Sequence, residues 1–272
     1  MIPIDDAKYL APQVKWFRLE APDISRKAQA GQFVIVRAEE VGERIPLTIA
    51  DFDGSQFIEL VVQEAGEGTR RINSLKKGDY FLNVAGPLGR PSEIDHFGTV
   101  VLVGGGIGIA PIYPIARAMK QAQNKVIVII GARTKELIFW EEKLHQVSDR
   151  VILCTDDGSY GIKGVVTAPL KDLLESGERI DRVLAIGPAI MMKFVAATTQ
   201  PYHVKTIVSL NSIMLDGTGM CGSCRVEVGG ETKFVCVDGP EFDAHQVDFE
   251  LLLNRLDIYK NEERICQIAG KV

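Results

Sequence analysis

Cysteine is scarce in this 272-residue sequence: there are five, an odd number. That argues against the dense disulfide framework of a small secreted domain. An excess of positive charge is also missing. Thirty-one Lys and Arg face thirty-six Asp and Glu, a net charge of −5, so nothing neutralises phosphates in bulk and a nucleic-acid scaffold is disfavoured. The N-terminus, Met1 to Asp6, is acidic and lacks the basic and apolar regions of a signal peptide. The longest charge-free run, Phe97 to Ala116, has the length of a membrane span. Five glycines and two prolines, Pro111 and Pro114, interrupt it, and a strand-turn-helix reading uses them better. The expected setting is cytoplasmic, with no membrane and no nucleic acid as partner. No internal repeat is present.

What is there is ordinary for a folded chain: 46% apolar and 25% charged residues. The length suggests roughly two domains, and the 26 glycines suggest tight turns or close approaches to ligands. Residues 1–97 read as short strands, at 14–19, 32–38, 45–50, 57–63 and 80–84. Pro, Gly, Asp and Asn punctuate them, which predicts a small antiparallel β-barrel with little helix. From residue 98 the rhythm changes. Apolar strands at 99–103, 125–130, 150–155, 182–186 and 203–209 alternate with helical stretches at 110–121, 136–146, 165–174 and 189–199. Repeated βα units with near-continuous apolar strands predict a doubly wound parallel α/β sheet over 98–209. Residues 210–272 form a third part, with a hairpin across Gly229-Gly230 and a helical stretch from Gln246 to Tyr259. About 60 residues is a meagre core, and such units often need a metal or cluster.

Four of the cysteines lie in that third part, three of them within sixteen residues. With Asp216 these three read Asp216-x4-Cys221-x2-Cys224-x11-Cys236. The spacing is that of a plant-type [2Fe-2S] site with its first cysteine replaced by Asp216. Gly217, Gly219 and Gly222 supply a backbone that can wrap sulfides and aim amides at sulfur. The competing readings are a structural zinc site or a mere turn; zinc normally takes Cys with His, and His245 alone lies near. A carboxylate ligand is harder than thiolate and can tune the potential or couple it to pH. Cys154 and Cys266 read as structural or incidental.

A glycine loop, Gly104-Gly105-Gly106-Ile107-Gly108-Ile109-Ala110-Pro111, joins the first α/β strand to its helix. It departs from the strict Rossmann fingerprint. Its place after the first strand still favours a dinucleotide pyrophosphate at Gly104, Gly106, Gly108, Ala110 and Pro111 over a plain tight turn. No acidic residue ends the second strand; Arg133 stands there and suits an adenosine phosphate or ribose, or a surface carboxylate. Asp156-Asp157-Gly158 follows the third strand and Gly187-Pro188, with Met191, follows the fourth. Both strand ends open on the crevice where α/β sheets bind ligands; a solvated turn is the alternative at Asp156 and Asp157.

The order barrel, α/β unit, cysteine loop resembles the ferredoxin-reductase superfamily, in the branch of the bacterial dihydroorotate dehydrogenase electron-transfer subunit. It resembles still more the small subunits of NADH-dependent reduced ferredoxin:NADP oxidoreductase (Nfn), also called sulfide dehydrogenase. The stretch Asp216 to Cys224 and its continuation Cys236-Val237-Asp238-Gly239-Pro240 carry the likeness. The dihydroorotate branch has Cys where Asp216 stands, which favours the Nfn branch. The resemblance implies FAD between barrel and α/β unit, held by Arg44, Pro46, Leu47 and Thr48 and by Gly66, Gly68 and Thr69. Leu47 stands where the general pattern has an aromatic residue, and Ile186 where it has a cysteine before Gly187-Pro188. It further implies NAD(H) in the crevice, a [2Fe-2S] cluster on Asp216, Cys221, Cys224 and Cys236, and no side chain acting as acid or base. A larger subunit with its own FAD and [4Fe-4S] clusters is the implied partner, in a heterodimer whose bifurcating centre lies outside this chain. Alternatives are the dihydroorotate dehydrogenase subunit itself, a stand-alone NAD(P)H:acceptor reductase, or a zinc-binding regulatory module without flavin.

Overall fold

A computed structural model describes residues 1–259. Strands β1 (Ile2–Ala11), β2 (Val14–Glu20), β3 (Phe33–Arg37), β4 (Ile45–Phe52), β5 (Phe57–Gln63), β6 (Tyr80–Phe81) and β7 (Asn83–Leu88) form one antiparallel sheet. Their order is β6-β1-β2-β5-β4-β3-β7. Its two ends, β6 and β7, are separated in the chain by Leu82 alone, so the sheet curls into a nearly closed barrel. Phe17, Leu19, Val34, Val36, Ile49, Leu60 and Phe81 fill it. Two helices interrupt the barrel chain: α1 (Pro22–Ser25) and α2 (Glu67–Ser74).

The second sheet holds β8 (Thr99–Gly105), β9 (Lys125–Ala132), β10 (Arg150–Thr155), β11 (Ile162–Lys163), β12 (Arg182–Ile186) and β13 (Lys205–Ser209). These are parallel, in the order β11-β10-β9-β8-β12-β13. Helices α3 (Ile109–Gln121), α4 (Glu141–His145), α5 (Thr167–Glu175) and α6 (Ala189–Thr199) connect them. Side chains of β8 alternate between two cores. Val100 and Leu102 face α3, while Val101 and Val103 face α5 and α6, which is why the strand reads as an unbroken apolar run.

The helix expected over 136–146 is broken. A single 3-10 turn at Lys135–Leu137 is followed by Trp140, whose φ of 60° ends any continuous helix before α4 begins.

The C-terminal segment forms a hairpin, β14 (Arg225–Val228) with β15 (Glu231–Phe234), then α7 (Val235–Asp238), β16 (Glu241–Asp243) and α8 (Phe249–Leu256). Its apolar residues do not make a separate core. Val226, Val235, Phe249 and Leu252 join the cluster of Val183, Val195 and Val208, and β16 adds antiparallel to β13. Cys266 lies outside the described residues. Among the described residues no helix is long and apolar enough to cross a membrane.

Candidate functional site

Strand β8 sits between β9 and β12, so the connections leaving it and β12 diverge to opposite faces. This is the switch point at which open α/β sheets bind ligands. Gly104 and Ile186 are ladder partners, which brings the glycine loop beside Gly187 and Pro188. The glycines there do different work. A Cβ on Gly108 would overlap the Ile186 carbonyl, and one on Gly105 would overlap the Met191 sulfur. A Cβ on Gly104 would crowd Ile109 Cα at 3.2 Å. Gly105 and Gly108 let the two strand ends close on each other, and Gly104 lets α3 start close against its own strand. Gly106 is the exception: its φ is +56° and a Cβ there meets nothing. Its open side is where a pyrophosphate can approach backbone at the start of a helix. Ala110 and Pro111 are buried in the first turn of α3, where Pro needs no amide partner.

The next two strand ends are tied into one rim. Asp156 and Asp157 amides donate to the carbonyls of Ala132 and Arg133, at 3.1 and 3.3 Å. The Lys135 amide donates to Ser159 Oγ at 2.8 Å. Asp157 in turn accepts from the Ser159 hydroxyl and amide, and these bonds hold its carboxyl below the ordinary range. Gly158 takes a φ of +79° in this turn. Arg133, Asp156 and Asp157 are exposed.

On the barrel, Pro46, Leu47 and Thr48 lie in β4 opposite Ile35, Val34 and Phe33 of β3. Gly66 is the extended residue before α2, and nothing occupies the space beside it. Thr69 Oγ1 accepts from the Ala65 and Gly66 amides, at 2.8 and 3.0 Å, and donates to Gly66 O. The hydroxyl therefore shapes the turn, and the amides at the start of α2 are left for an anion. The carboxylate of Glu43 and the Ile45 side chain lie over Gly68. Arg44, between them in sequence, lines a cavity of about 420 Å³ with Ile35, Arg37, Asn83, Ala85 and Asp216. Arg37 Nε is buried there without a hydrogen-bond partner, an environment an anionic group completes. Sequence reasoning missed Arg37 and Asn83. The signal available was a lone arginine ending the apolar run Phe33–Val36 on its outward face.

The four expected iron ligands fall into two pairs. Cys224 and Cys236 are buried free thiols with sulfurs 3.3 Å apart. Burial pushes the Cys236 thiol up to about 12. Cys221 is exposed, and its thiol is lowered by the Ser223 hydroxyl and amide. Asp216 accepts from the amides of Thr218, at 2.7 Å, and Cys221, at 2.8 Å; these hold its carboxyl low. Among the described residues no three acidic, Cys or His groups converge on one point. The donor set still suits an iron-sulfur cluster: two close unbonded thiols, a third with amide help, a carboxylate, and Gly217, Gly219 and Gly222 at φ of +77°, +86° and +70°.

Strand β3 connects barrel and cysteine loop. Val34 and Val36 point into the barrel, whereas Phe33 and Ile35 belong to the core that contains Cys224 and Cys236. Gly217 packs so closely on Ile35 and Leu88 that a Cβ would lie 2.9 and 2.8 Å from them. Ile35 is the ladder partner of Pro46. One strand thus separates the cysteine loop from the expected flavin strand.

Comparison with known proteins agrees with this layout. Residues 102–197 match an oxidoreductase NAD-binding domain, and residues 211–248 match the iron-sulfur cluster binding domain of dihydroorotate dehydrogenase B. A dihydroorotate dehydrogenase B (NAD(+)) electron transfer subunit homolog from Thermotoga maritima is 48% identical, over 94% of this chain and 90% of the relative. The structure of an NADH-dependent reduced ferredoxin-NADP oxidoreductase contains a chain 44% identical to this one, with a TM-score of 0.94 over 100% of this chain and 98% of that one. A ferredoxin NADP+ reductase from Neisseria gonorrhoeae shares the fold, with a TM-score of 0.62 at 20% identity over 74% of this chain and 90% of that one. The chain belongs to the family of dihydroorotate dehydrogenase B electron-transfer subunits and their close relative in NADH-dependent reduced ferredoxin-NADP oxidoreductase, a family of redox enzyme subunits.

Proposed function

We propose that this chain is the electron-transfer subunit of an electron-bifurcating NADH-dependent ferredoxin:NADP oxidoreductase. It binds NAD(H), FAD and one [2Fe-2S] cluster and delivers electrons to a larger subunit that carries its own FAD and [4Fe-4S] clusters. The carrying observation is the shared strand: Gly217 of the cysteine loop sits on Ile35, which pairs with Pro46 of the flavin strand. When bound, flavin converts two-electron hydride chemistry into the single-electron steps a cluster accepts.

The chain's own residues bind and orient. Gly104, Gly106 and Gly108, with Ala110 and Pro111, seat the dinucleotide phosphates. Arg133, Asp156, Asp157 and Gly158 bound its adenosine side, and Gly187, Pro188 and Met191 its nicotinamide side. Arg44, Pro46, Leu47, Thr48, Gly66, Gly68 and Thr69 hold the flavin, with Arg37 beside Arg44. Asp216, Cys221, Cys224 and Cys236 hold the iron. Leu215, Met220 and Val237 are exposed around Cys221, Met220 at 88%. This apolar rim is the docking face for the larger subunit.

Asp216 and the full-length likeness to the ferredoxin-NADP enzyme support this reading over the dihydroorotate dehydrogenase subunit, which the names of several relatives favour. Anaerobic purification with iron, sulfide, zinc and flavin analysis tests the cofactors, and the co-purified partner's substrate separates the two. Zinc without iron or flavin sinks the reading; a dihydroorotate-oxidising partner turns it to the alternative. Asp216→Cys should change the cluster's visible spectrum and potential. Unchanged values remove Asp216 from the ligand set.

A further inference from the structure

The two cofactor seats lie on different sheets, so the angle between the sheets sets how nicotinamide meets flavin. Helix α3 packs directly on the barrel, with Ile112, Tyr113 and Ile115 in one core with Trp16, Ala50 and Val61. Apolar packing is non-directional and fixes rotation poorly. The directional contacts lie at the far end of this seam.

Asp51 of β4 and Glu59 of β5 stand directly opposite in the ladder, just past a register shift at Ala50. Paired like charges weaken a sheet. Here both carboxylates receive cations from the other sheet's helices. Arg117 Nη1 of α3 lies 2.6 Å from Asp51 Oδ1, and Lys143 Nζ of α4 lies 3.0 Å from Asp51 Oδ2. Lys143 Nζ also lies 3.2 Å from Glu59 Oε2, which accepts from Trp16 Nε1 at 2.8 Å. The Asp51 side chain is only 13% exposed. The Lys143 ammonium sits 4.1 Å from the ring centres of both Tyr113 and Trp140. Trp140 holds the left-handed backbone conformation, which is unfavourable for a bulky residue and orients its ring into this cluster.

Helix α3 begins at the dinucleotide loop and β4 begins at the flavin motif. Both are pinned at their opposite ends by Asp51. Arg117 lies about 12 Å along α3 from Ile109 at helical rise. A tilt of about 5° at the pin moves the loop by ~1 Å, and a misplacement of that size can cost ~100-fold in rate. We propose that Asp51, clamped by Arg117 and Lys143, is a positioning residue that sets the nicotinamide-to-flavin geometry. The inference rests on the electron-transfer reading above.

The test uses the purified complex with its flavin. Asp51→Asn and, as a second variant, Lys143→Met should slow flavin reduction at saturating NADH by ~10-fold or more. They should weaken the long-wavelength charge-transfer absorbance of the nicotinamide-flavin pair. FAD content and NADH affinity should stay within about twofold, and Lys143→Arg should restore the band. In the flavin-free protein, amide exchange along Ile109–Gln121 should quicken in the same variants. Wild-type rate and band in both variants overturn the role. So does a rate loss that merely tracks lost FAD. A wild-type flavin that NADH leaves oxidised overturns the electron-transfer reading and this role with it, so the two failures are distinguishable.

Discussion

The dinucleotide loop and the cysteine loop are both glycine-rich, and they are built on opposite terms. At Gly104–Gly108 the protein's own atoms fill the space that three absent side chains leave, and most of the loop is buried. At Asp216–Cys224 the glycines take positive φ values, Met220 and Cys221 face solvent, and the four expected ligands stand in two pairs. A dinucleotide is a visitor, so its seat must exist before it arrives. A cluster is resident, so its loop can leave the final convergence of ligands to the metal.

Iron removal breaks this comparison most severely. Chelation under reducing conditions should accelerate amide exchange across Asp216–Cys224 on the order of 100-fold. Exchange across Gly104–Pro111 should stay as it was. Equal acceleration in both loops would show that the cluster supports the α/β core through Val226 and Val235, which it shares.

The next effect in size lies within the dinucleotide loop. Gly108→Ala places a methyl on the backbone of β12, which cannot yield as a side-chain tip can. Overpacking of this kind costs about 3 kcal/mol, or about 6–12 °C in Tm for a chain of this length. Gly106→Ala meets no atom but occupies a left-handed position, at a cost of about 1 kcal/mol. Calorimetry and NADH titration should therefore separate them: Gly108→Ala loses stability first, Gly106→Ala loses dinucleotide affinity first. Equal stability losses would mean that the loop is not seated by packing on Ile186.

What was legible in the sequence follows from the same physics. Strands β8, β9, β10, β12 and β13 announced themselves as apolar runs, whereas the exposed two-residue β11 did not, and α6 was read at its observed bounds, Ala189–Thr199. Strand β1 was not anticipated. Its Asp5, Asp6 and Lys8 break the apolar pattern, and β2 and β6 supply its pairing from elsewhere. Helix α2 carries Glu67, Arg70 and Arg71 and buries only Ile72 and Asn73, so its sequence reads as a polar turn. The left-handed Trp140 packs its ring on Lys143, a cation paired with carboxylates of the other sheet, which no local pattern encodes. At the candidate site, motif glycines were visible as letters, but their division between packing and ligand access needed the neighbours. Arg37 showed only as a lone arginine after an apolar run and Asn83 not at all, because the cavity they line forms only when the barrel curls.

The smallest expected effect concerns the join between the two compared regions. Strand β16 attaches the cysteine segment to the sheet, and its Glu241 lies in the seam, opposite Ser209 in the ladder and bonded to the Ser92 hydroxyl. Burial pushes the Glu241 carboxyl up; the Ser92 bond and the Arg182 charge oppose this, and Glu93 adds to it. An unfolded glutamate loses its proton near pH 4.3, whereas folded Glu241 keeps its proton to higher pH. Its contribution is thus fully present below the unfolded value and is lost as pH rises through the folded one. Glu241→Gln keeps a hydrogen-bonding partner for Ser92 and removes the charge. At pH 8 it should raise Tm by about 2–4 °C, the shift that ~1 kcal/mol produces in a chain of this size. At pH 5 the gain should be smaller. Wild-type and variant melting curves that stay parallel from pH 5 to pH 8 would show that the carboxyl titrates as it does in water, and that β16 is held by its ladder and apolar neighbours alone.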